Sequence, residues 1–83
     1  MSEALPEIDF GTFVMSLASS VLVHLGEIAH PDASKNLNMA KQTIDILGML
    51  QDKTRGNLDA QEARLFEKIL FDLRLRFVEK SRK

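Results

Sequence analysis

No cysteine occurs in this 83-residue chain. That removes disulfides, thiolate zinc sites and cysteine nucleophiles together, and it fits a reducing cytosol. A second absence is local: no Lys, Arg, Asp or Glu occurs from Phe10 to Gly26. A third concerns one sign of charge. Residues 1–34 carry Glu3, Glu7, Asp9, Glu27 and Asp32 but no basic residue. No internal repeat, low-complexity stretch, strand pattern or catalytic motif accompanies these gaps, so the sequence bears on fold and assembly more than on chemistry.

The length allows one small domain. A single core of that size usually supplies only about 3–5 kcal/mol, so small folds tend to need disulfides, a metal or a partner chain. With disulfides excluded, self-association is the favoured staple. The uncharged run from Phe10 to Gly26 is too short and too hydroxylated to span a membrane: it holds Thr12, Ser16, Ser19, Ser20 and His24, and about twenty mostly apolar residues are needed. Acidic rather than basic residues precede it, which argues against an export signal. A soluble, cytoplasmic protein without a membrane segment is expected.

Apolar spacing predicts an all-α chain of three helices over about 9–25, 35–55 and 59–80. Asp9 caps the first, which stops at Gly26. The second starts around Ser34 to Asn36 and ends near Arg55, with Gly56 just beyond it. Asp59 caps the third, and Glu62 completes a variant of the capping box. Residues 1–8 read as a flexible N-terminal segment, 9–80 as the single domain and 81–83 as a frayed basic end. Helices two and three are expected to form an antiparallel hairpin, completed by helix one and by a second subunit.

Turning the helices at about 100° per residue gives two non-polar seams on each of the last two. On helix two, Leu37, Ala40, Ile44 and Leu47 make one seam, while Met39, Thr43, Ile46 and Leu50 make another. On helix three, Ala63, Phe66, Leu70, Leu73 and Phe77 form a heptad-like seam, with Phe71, Leu75 and Val78 on a different flank. Helix one has a broad apolar face, and its back holds Thr12, Ser16, Ser19, Ser20 and Val23 without a charge. Thr12, Ser16, Ser19, Val23, Met39, Ile46, Phe71, Leu75 and Val78 are therefore the candidate oligomer interface.

Other constellations have plainer explanations. His24, Glu27, His30 and Asp32 are metal-capable, but Gly26 and Pro31 interrupt any helix that would align them; a metal site remains one alternative. Asp45 and Asp72 sit four residues from Lys41 and Arg76, which suits exposed ion pairs better than acid–base catalysis. Lys53-Thr54-Arg55-Gly56-Asn57 places its basic residues before the glycine, the reverse of a phosphate loop. Gly48 inside helix two suggests close approach by another helix. Met15, Met39 and Met49 form no single stripe and read as filler. A further alternative is nucleic-acid binding through Arg74, Arg76, Lys80, Arg82 and Lys83.

Three stretches together resemble a known family: Phe13 to Ala18 continuing into His24 to Ile28; Ala40 to Leu50 leading through Lys53-Thr54 to Leu58; and Leu70 to Arg74 with Arg76 to Glu79. They look like the small bacterial helical domain of unknown function family 1844, over roughly residues 8–79. Lys41 to Leu50 is the most specific part. Phe71 and Phe77 stand where that family commonly has Tyr, and the loop before helix two is often longer there. The resemblance implies a cytoplasmic bacterial protein, with no activity, cofactor or established site. It marks Gln42, Asp45, Asp72 and Arg74 as a recurrent polar pattern. The combined expectation is a non-enzymatic homo-oligomeric interaction module, a dimer by preference, with no cofactor and an unidentified protein partner left open.

Overall fold

Each helix begins at a side chain that satisfies an amide the helix leaves unpaired. The computed structural model describes residues 9–29 and 35–82. It contains α1 (Phe10–Leu25), α2 (Leu37–Lys53) and α3 (Ala60–Ser81), and the described residues form no strand. Asp9, in extended geometry, accepts the Thr12 N–H at 2.7 Å. That backbone hydrogen bond, joined by Thr12's side chain, holds the Asp9 carboxyl below its usual range. At the other end Gly26 adopts φ 83°, and Glu27 N–H reaches the Leu22 carbonyl at 2.9 Å while Gly26 N–H reaches Val23. This is a Schellman closure, and its left-handed position suits glycine.

Asn36 caps α2 by accepting the Met39 N–H at 3.1 Å, and its own N–H donates to the His24 carbonyl at 2.8 Å. The start of α2 is thereby tied to the last turn of α1. The helix ends at Lys53 rather than near Arg55. Thr54 accounts for the difference: its hydroxyl donates to the Leu50 carbonyl at 2.7 Å, and the following Arg55 N–H turns inward to Asp52. Gly56 then takes φ 88° and reverses the chain. Asp59 and Glu62 form a reciprocal capping box at 2.7 and 3.0 Å. Residues 1–8, Ser34 and Lys83 lie outside the described residues, so the expected flexible N-terminal segment does too.

Every helix packs against both others. Val14, Ala18, Val21 and Leu25 enter the core from α1, Ala40, Ile44 and Leu47 from α2, and Phe66, Leu70 and Leu73 from α3. Full burial of the Val, Ile, Leu and Phe side chains stabilises by about 1.5–3 kcal/mol each, which helices of this length need because they are marginal alone. The Phe10 ring lies 5.7 Å from that of Phe66. Near the opposite ends, Glu27 approaches Arg76 at 3.4 Å and Lys80 at 4.0 Å. Contacts at both the beginnings and the ends show that α1 and α3 run in the same direction. No helix among the described residues is long and apolar enough to cross a membrane.

Removing the reciprocal cap should be felt globally. Asp59→Ala is expected to cost about 1 kcal/mol, within the usual 0.5–2 kcal/mol for such caps. Urea denaturation followed by circular dichroism would measure it, and an unchanged midpoint would show that the box adds nothing.

Candidate functional site

Burying one seam of each helix leaves the other outside. On α3 the core takes Phe66, Leu70 and Leu73, so Phe71, Leu75 and Val78 are turned outward with 72%, 50% and 45% of their surfaces exposed. Beside them runs an open groove of about 440 Å³ whose walls include Gln51 of α2 and Glu67, Phe71, Arg74, Leu75 and Val78 of α3. A second groove, of about 410 Å³, is lined by Gln51, Leu58, Ala63 and Glu67 among others. The two share Gln51 and Glu67 and continue one another along α3.

Gly48 explains how Arg74 comes to line the first groove. A Cβ at Gly48 would lie 3.1 Å from the Arg74 Nη2 atom. The close approach expected at this glycine therefore comes from one guanidinium on α3. Neither Arg74 nor Glu67 forms an ion pair among the described residues. The other members of the polar pattern are occupied locally or open to solvent. Asp45 pairs with Lys41 and Asp72 with Arg76, both at 2.9 Å, while Gln42 is exposed. Asp72, by hydrogen bond and charge, raises the Arg76 pKa above its usual value, with Glu27 adding to the effect.

The candidate interface residues divide into separate surfaces. Thr12, Ser16 and Ser19 are exposed on the back of α1, and Val23 is half-buried. The Ser16 hydroxyl donates to the Phe13 carbonyl at 2.8 Å, within its own helix. Met39 and Ile46 are exposed on α2. Ile46 lies two positions from Gly48, hence about 160° around the helix, so this flank faces away from the α3 groove. Phe13, at 40% exposure, adds apolar surface to α1.

No group of three or more His, Asp or Glu side chains among the described residues is placed to hold a metal ion. His30 and Asp32 lie outside those residues. Glu27 faces Arg76 and Lys80 instead, and the buried Nδ1 of His24 makes no hydrogen bond among the described residues. Of the basic residues in the nucleic-acid alternative, Arg76 and Lys80 have carboxylate neighbours in their own chain. Sequence reasoning missed Gln51, Leu58 and Glu67 as groove residues. The separation of Glu67 and Arg74 by one heptad was the available signal.

The family model for the domain of unknown function DUF1844 matches residues 7–79. The chain belongs to this family. In the DUF1844 chain the match takes in α1, α2 and α3 as far as Glu79, and with them the groove residues Gln51 to Val78. Among curated proteins and among solved structures, no match was found.

A methyl group at Gly48 would press only on the far end of the flexible Arg74 side chain. Gly48→Ala should therefore stabilise the fold by about 0.5–1 kcal/mol through helix propensity. A lower melting temperature for this variant would show that Arg74 is held too firmly to yield.

Proposed function

We propose that this protein is a cytoplasmic, non-catalytic, homo-oligomeric interaction module, with the dimer as its basic unit. The observation that carries the reading is the outward apolar flank of Phe71, Leu75 and Val78, left after α3 has given its other face to the core. Isolated exposed apolar residues are ordinary, whereas neighbouring ones on a single helix face mark an interaction surface. The uncharged back of α1 and the Met39–Ile46 flank of α2 support the same reading.

An antiparallel α2–α3 hairpin is part of this proposal. Supporting it, Gly48 lies beside Arg74, whereas the later Gln51 shares a groove with the earlier Glu67. The second subunit would cover the apolar flank of Phe71, Leu75 and Val78 that the single chain leaves exposed. Binding rather than turnover is the proposed activity.

Light scattering coupled to size exclusion tests the assembly. At about 1–100 μM, where specific interfaces of ordinary strength are occupied, a mass twice the 9.4 kDa chain is expected. A 9.4 kDa species throughout that range, with a melting temperature independent of concentration, would overturn the reading.

A further inference from the structure

We infer that the exposed groove of α3 is covered by the same groove of a second copy, turned about a two-fold axis beside Leu70 and Phe71. The inference rests on the oligomeric reading and names its contact face. The two adjoining grooves make one strip along α3 that runs from Ala63 to Val78. Glu67 and Arg74 lie within it, one heptad or about 10.5 Å apart along the helix.

The strip is complementary to its own reverse. The midpoint between Glu67 and Arg74 falls between Leu70 and Phe71, and so does the midpoint between Ala63 and Val78. A two-fold axis at that level sets Glu67 of one chain against Arg74 of the other, and the pair occurs twice. The same operation lays the larger Val78 over the smaller Ala63. Phe71, the most exposed large apolar side chain among the described residues, comes beside the axis, where a buried aromatic contributes most to an interface. Both charges are without an ion-pair partner among the described residues, so each is available to the second copy. A parallel arrangement in register would set Glu67 against Glu67 and Arg74 against Arg74. A uniformly acidic or basic partner would satisfy only one of the two. The self-paired, isologous contact satisfies both.

Charge reversal tests this directly, with helicity checked by circular dichroism. Phe71→Glu should raise the dimer dissociation constant at least about tenfold. Glu67→Arg and Arg74→Glu, each alone, should weaken the dimer because like charges then face one another. Mixed in equal amounts, these two variants should recover dimer, since the heterodimer restores both opposite-charge pairs. Failure of the mixture to recover, or single reversals without effect, would overturn the two-fold pairing. The chain has no native cysteine, so Phe71→Cys gives an independent measurement. It should oxidise to a covalent dimer far faster than Ser19→Cys, and equal rates would contradict the axis. A wild type that is monomeric would defeat the oligomeric reading itself. A dimeric wild type broken by Ser19→Glu but not by Phe71→Glu would keep that reading and defeat this contact face.

Discussion

The burial of Phe66, Leu70 and Leu73 sets the rotation of α3, and that rotation determines what the rest of the molecule presents. With the core side settled, Phe71, Leu75 and Val78 must face outward, and Arg74 falls beside α2 at the level of Gly48. The same packing draws α1 alongside α3, with Phe10 against Phe66 at one end and Glu27 beside Arg76 at the other. Close-packed interiors do not permit a small turn of one helix without displacing its neighbours. The outward faces are therefore properties of the core as much as of the surface.

Much of this architecture could be read from local patterns. The Asp9 cap, the Gly26 stop and the Asp59–Glu62 box depend only on residues within a few positions of one another, and all three form. The ion pairs Lys41–Asp45 and Asp72–Arg76 are equally local. The end of α2 was less legible, because Thr54 and Gly56 both offer ways to close a helix. The Thr54 hydroxyl acts first, by accepting the role of donor to Leu50.

Long-range placement was legible only in part. Gly48 signalled a close neighbour, but nothing in its surroundings named Arg74, which is twenty-six positions away. Periodicity shows the outward flank of each helix by itself and cannot tell which flanks end up adjacent. Met39 and Ile46 prove to lie on the far side of α2 from Arg74, a consequence of how α2 and α3 are turned toward each other. Glu67 and Gln51 escaped notice because polar residues on an exposed helix look alike until a groove forms between them.

The shared direction of α1 and α3 has an electrical consequence. Two helix dipoles point the same way, so two partly positive ends gather at one pole and two partly negative ends at the other. Asp9 and Asp59 stand at the first pole, while Arg76 and Lys80 stand near the second. Ionised side chains thus oppose the backbone field at both ends of the molecule. Glu27, which has the wrong sign for its pole, sits where Arg76 and Lys80 can neutralise it.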